Sequence, residues 1–132
     1  MRTLTLSLAT LFLASSGLAQ DEAEFPTWMK SLGPAMGSMR KNLEAKQGAE
    51  AATDAEKVAG IFKQVEAFYA KSNTEDAVKW ATTAQTAATE VAAAATAGDF
   101  ERAGAGVKQI SGTCGPCHTA HREKIEGGYK LK

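Results

Sequence analysis

The chain of 132 residues has little of what a disulfide-stapled, nucleic-acid-binding or membrane-spanning protein needs. It holds only two cysteines, Cys114 and Cys117. Three residues apart, they cannot tie distant parts of a fold together, and a disulfide-framework domain is excluded. No charge of either sign is in excess, because 15 Lys and Arg balance 15 Asp and Glu. A nucleic-acid binder needs a basic surplus to neutralise phosphates, and no local Lys/Arg stripe supplies one. There is no Gly-rich phosphate loop and no Ser/His/Asp constellation in a recognisable context, so the residues point to no hydrolase and the chain is not expected to be an enzyme. No internal repeat or domain linker is visible, and the length suits one domain.

Long apolar runs are also missing. Leu4, Leu6, Leu8, Leu11, Phe12 and Leu13 form a stretch of about ten residues, short of the roughly 20 that a spanning helix requires. The stretch follows Met1-Arg2 and ends in the small-residue run Ser15-Ser16-Gly17-Leu18-Ala19, the layout of a secretory signal peptide. Acidic Asp21-Glu22 follow where a membrane protein would carry basic flanks. Cleavage is expected after Ala19 or Gln20, making residues 1–20 a leader and 21–132 an exported, periplasmic domain without a stable membrane span. Loss of Arg2 leaves 14 basic against 15 acidic side chains, one net negative charge.

What is present is helical periodicity. No stretch shows sustained apolar/polar alternation flanked by hairpin turns, whereas four stretches repeat apolar residues at three- and four-residue spacing. The first covers about Thr27 to Lys46, with Trp28, Met29, Leu32, Met36, Met39 and Leu43 on one face. Pro34 removes a backbone donor inside it, which predicts a bend or a broken turn. Thr53-Asp54-Ala55-Glu56 has the Thr-x-x-Glu form of a capping box and is expected to open the second helix. Glu75-Asp76 place negative charge at the start of a third, alanine-rich helix ending near Ala97, where the helix dipole favours it. Gly98 and Asp99 are the natural stop and N-cap before a fourth, expected to run to Gly127-Gly128. Segments of this length with short connections predict an all-α, antiparallel four-helix bundle.

The chemistry concentrates in Cys114-Gly115-Pro116-Cys117-His118. In Cys-x-x-Cys-His two thiols add across the vinyl groups of a haem and the adjoining imidazole reaches its iron. A thioredoxin-like redox pair has the same cysteine spacing but belongs at the head of a helix after a strand, and none is legible. A structural zinc site wants four ligands, which two cysteines and two histidines within eight residues on a single helix present poorly. Pro116 cannot donate to Gly112, and a local distortion is expected there.

A haem motif on the last helix of a four-helix bundle, behind a signal peptide, resembles the class II c-type cytochromes, the cytochrome c′ family. Its most specific parts are Val107-Lys108-Gln109-Ile110-Ser111-Gly112-Thr113-Cys114 leading into Cys117-His118, Met29-Lys30-Ser31-Leu32-Gly33 in the first helix, and Trp80-Ala81 in the third. The resemblance implies one covalently attached haem c with Cys114 and Cys117 as thioether anchors and His118 as proximal iron ligand. It implies further that Trp80 lies near the haem, that Arg122 fills the basic position one turn after His118, and that Met29 faces the distal side. Phe25 departs from the pattern, standing where many members carry a basic residue.

The sixth iron position separates two expectations. With Met29 bound, the thioether favours ferrous iron and leaves no open site, which makes an electron carrier serving redox partner proteins. With Met29 off the iron, the site is five-coordinate and high-spin and takes small gases such as nitric oxide or carbon monoxide. His/Met ligation and electron transfer are the first expectation, and gas binding is the alternative. A homodimer through the first two helices is a further implication of the resemblance.

Overall fold

A computed structural model describes residues 16–132, with side chains from residue 21 onward. Residues 1–15, most of the expected leader, lie outside them. Four helices follow one another, α1 (Ser16–Glu44), α2 (Gly48–Lys71), α3 (Glu75–Thr96) and α4 (Phe100–His121), and a short hairpin of β1 (Arg122–Ile125) and β2 (Gly128–Leu131) closes the chain. Three-residue connections fold successive helices back on each other, giving the expected antiparallel four-helix bundle. No helix among the described residues is long and apolar enough to cross a membrane.

The connections use local chemistry. Lys46 and Asn73 take positive φ values of 56° and 53°, and Gly98 takes 73°. Asp99 caps α4 as expected, its carboxylate accepting from the Arg102 amide at 3.0 Å, a bond of a kind that contributes about 1 kcal/mol. The Thr53 capping box does not form. α2 starts six residues earlier, with Gln47 in the N-cap position, and Thr53 lies inside it with its hydroxyl donating to the Ala49 carbonyl at 3.1 Å. Gly48 lets this first turn lie against α3, since a Cβ there would be 2.4 Å from the Ala95 carbonyl oxygen. Asp54, the second residue of that supposed box, instead accepts from Ser38 at 2.7 Å and Asn42 at 2.8 Å and ties α2 to α1.

None of the three internal prolines breaks its helix. α1 continues through Pro26 and Pro34 and α4 through Pro116. All three, and Glu22, Lys30 and Gly112 whose carbonyls lose a donor, are exposed, so water can satisfy the freed acceptor without a broken turn.

Met39, Val58, Val91 and Ile110 are fully buried at the centre, surrounded by Ala51, Ala55, Ala77, Ala84, Ala88 and Ala103. α2 packs most extensively on α3, and α3 on α4, while α1 leans chiefly on α2 and meets α4 only sparsely. Small residues set that difference. A Cβ at Gly106 of α4 would come within 2.5 Å of Val91 and 3.4 Å of the Ala87 carbonyl, so α3 and α4 approach as closely as their backbones permit.

The fourth helix ends at His121, short of the expected stop at Gly127-Gly128. Residues 122–131 form an antiparallel hairpin, with Arg122 opposite Leu131, Glu123 opposite Lys130, Lys124 opposite Tyr129 and Ile125 opposite Gly128. Gly127 supplies the turn's left-handed position at φ 82°. The Lys132 amide donates back to the His121 carbonyl at 3.0 Å, fastening the strand end to the helix end.

Candidate functional site

Helical spacing places Cys114, Cys117 and His121 along one face of α4, three and then four residues apart, with His118 beside them. Both cysteines are half-buried free thiols. Burial pushes the Cys117 thiol above its usual 9.0, helped by the negative charges of Asp76 and Cys114. His118 moves the other way. Burial and then the nearby Arg122 guanidinium hold it below its usual 6.5, which favours the uncharged form whose lone pair a metal requires.

α2 and α3 supply the wall opposite. His121 Nε2 lies 3.1 Å from each carboxylate oxygen of Asp76, and its ring sits 5.2 Å from Tyr69 and 6.1 Å from Trp80. The His121 side chain is 17% exposed, so it belongs to this cluster rather than facing solvent. Tyr69 continues into Phe68 at 5.1 Å and Phe25 at 5.7 Å, and Phe25 into Trp28 at 5.8 Å. Phe25, which departs from the family's basic residue, is therefore a buried member of an aromatic cluster. Burial, with the charges of Cys117 and Asp76, raises the Tyr69 phenol to about 12. A cavity of about 250 Å³ opens at this end between Phe68, Tyr69, Ser72, Thr74, His121 and Leu131.

The structure thus brings together Cys114, Cys117, His118, Arg122 and, through His121, Trp80. Arg122 stands one turn after His118, its amide donating to the His118 carbonyl, and there the chain leaves the helix with extended backbone angles (φ −126°, ψ 134°) while the guanidinium stacks over the Tyr129 ring at 3.8 Å. Met29 stands on α1, half-buried against the core and outside this cluster, while Met36 and Met39 are buried core residues. Asp76, Tyr69 and Tyr129 are the residues that sequence reasoning missed. Asp76 reads as a helix-start charge and Tyr69 as part of an apolar stripe, and nothing local signals a partner 45 residues away.

The donor set fits a covalently held haem: two unpaired thiols on one face of α4 and an imidazole next to the second, on the helix that α1 meets only sparsely. A zinc site does not fit, because no group of three His, Cys, Asp or Glu side chains converges among the described residues. A thioredoxin-like motif does not fit either, since the cysteines lie late in α4 and the helix follows no strand among the described residues.

No family model matches the sequence, and no curated protein matches it significantly. A solved structure does: a cytochrome c′ described as having an unusual ligand-controlled dimer dissociation, 20% identical, with a TM-score of 0.66 over 90% of this chain and 100% of that one. The chain therefore has the cytochrome c′ fold.

Proposed function

We propose that this chain is an exported, periplasmic class II c-type cytochrome that carries electrons and makes or breaks no bond in a substrate. The observation that carries the proposal is that Cys114, Cys117 and His118 stand together on the last helix of a chain with the cytochrome c′ fold. Cys114 and Cys117 hold one haem through thioether bonds, His118 is the proximal ligand, and Trp80 and Arg122 lie about the site. When bound, the haem supplies an iron that cycles between ferric and ferrous states. The protein's own contribution is to bury one side of that group against aromatic rings, to keep His118 unprotonated, and to offer Met29 from α1 as the sixth ligand.

Gas binding is the second reading, favoured by the structural neighbour, whose dimer dissociation is described as ligand-controlled. In it Met29 stays with the core residues it already touches and the distal position takes nitric oxide or carbon monoxide. A homodimer accompanies it. Electron transfer instead requires redox partner proteins meeting the haem edge.

Intact-mass measurement on protein produced with haem-maturation machinery tests the shared part. The expected species is the chain from about residue 20 or 21 to Lys132 plus one haem, with no thiol left to alkylate. Two alkylatable cysteines and no added mass would refute the cytochrome proposal.

A further inference from the structure

The C-terminal hairpin has no part in the chemistry so far assigned, yet it begins at Arg122. Its two faces differ. Glu123 and Lys130 pair across the solvent face at 3.2 Å, whereas Arg122, Lys124, Tyr129 and Leu131 share the other by strand alternation and register. On that inner face Leu131 packs against the core. Tyr129 is the diagonal neighbour of Arg122, a spacing that long and aromatic side chains bridge.

The backbone of Arg122 is fixed from both sides. Its amide donates to the His118 carbonyl, the Lys132 amide to the His121 carbonyl, and the Lys132 ammonium to the Thr119 carbonyl at 2.9 Å. The side chain is another matter. No carboxylate pairs with the guanidinium among the described residues, and the contact that orients it is the Tyr129 ring. Four freely rotating torsions would otherwise take that charge into water.

We propose that Tyr129 is a positioning residue, whose ring holds the Arg122 guanidinium beside His118 so that the hairpin sets the positive charge felt at the haem side of α4. This rests on the cytochrome reading above. Arg122 lies one turn after His118 with its amide on the His118 carbonyl, and a positive charge held there disfavours ferric iron, the more positive state, relative to ferrous. Holding the charge in place therefore raises the reduction potential, and freeing it lowers the potential. The ring can transmit no more than its own interaction with Arg122, about 0.5–1 kcal/mol at an exposed site. That bounds the effect at roughly two- to fivefold in the ferrous-to-ferric ratio, or about 20–40 mV for one electron.

Potentiometric titration of the haem-loaded protein tests this with Tyr129→Leu, Tyr129→Phe and Arg122→Gln. Tyr129 is 56% exposed, so its replacement leaves the bundle intact. Tyr129→Leu is expected to lower the midpoint within the bound above, Tyr129→Phe to leave it unchanged because the ring face remains, and Tyr129→Leu to add nothing once Arg122→Gln is present. An unchanged midpoint in Tyr129→Leu overturns the proposal, as does an equal drop in Tyr129→Phe or a drop that persists in the Arg122→Gln background. A wild-type chain that acquires no haem overturns the cytochrome reading and this role with it, and is told apart by the absent Soret band.

Discussion

Where α3 meets α2 and α4, the chain packs alanine, valine and glycine, with Ala77, Ala84, Ala88 and Val91 wholly buried. Where α4 comes near the start of α1 and the end of α2, it places rings, thiols and imidazoles, most of them half-buried, beside a cavity. The first region completes itself with protein atoms. The second collects reactive groups, two thiols and two imidazoles, beside aromatic faces, and the packing itself does not use their chemistry. A structural region spends its residues on close approach, and a functional one keeps surface that a bound group can cover.

Removing the covalent anchors attacks the second region most directly. Cys114→Ala with Cys117→Ala is expected to abolish covalent haem completely, seen as loss of in-gel haem staining. Circular dichroism should still report helix, because the alanine-packed side needs neither cysteine.

The same Gly→Ala change is expected to have opposite signs in the two regions. At Gly106 the added methyl meets Val91 and the Ala87 carbonyl, and overpacking of that kind costs about 1–3 kcal/mol. At Gly112 nothing lies within 4 Å of the new Cβ, so the gain in helix propensity stabilises the haem-free chain by about 0.5–1 kcal/mol. Thermal unfolding of both variants measures the contrast, and equal shifts of one sign would erase it.

Met29→Ala asks whether the first helix takes part in the second region. The expected result is conversion of a low-spin optical spectrum to a high-spin one with little change in melting temperature, since Met29 is only partly buried.

The smallest effect concerns Tyr69. In the haem-free chain its folded-state phenol ionises near 12, raised by burial and then by Cys117 and Asp76, against about 10 when unfolded. The sign follows from linkage: the unfolded chain loses its proton first, so the stability that Tyr69 contributes is present below pH 10 and is lost as pH rises from 10 toward 12. Tyr69→Phe should flatten unfolding free energy across that window, and an unaltered slope would remove Tyr69 from the account.

Four helices were legible because each carries an apolar stripe at helical spacing and because Asp99 sits at a true N-cap. The Thr53 box misled, since its pattern also occurs inside a helix, and α2 starts where Gly48 permits contact with Ala95. The hairpin was hidden because its strands have four residues and Arg-Glu-Lys-Ile shows almost no alternation. Cys114, Cys117 and His118 are adjacent in sequence and could be read there. Asp76, Tyr69 and Tyr129 join the site only through folding, and no local pattern announces them.

The central claim is a covalently bound haem whose iron is closed by His118 and Met29. The optical spectrum of the ferrous protein, recorded before and after carbon monoxide, tests it most directly. The account predicts sharp low-spin bands that the gas leaves unchanged. A high-spin spectrum that converts on adding carbon monoxide would contradict it, open the distal position and make the chain a gas binder.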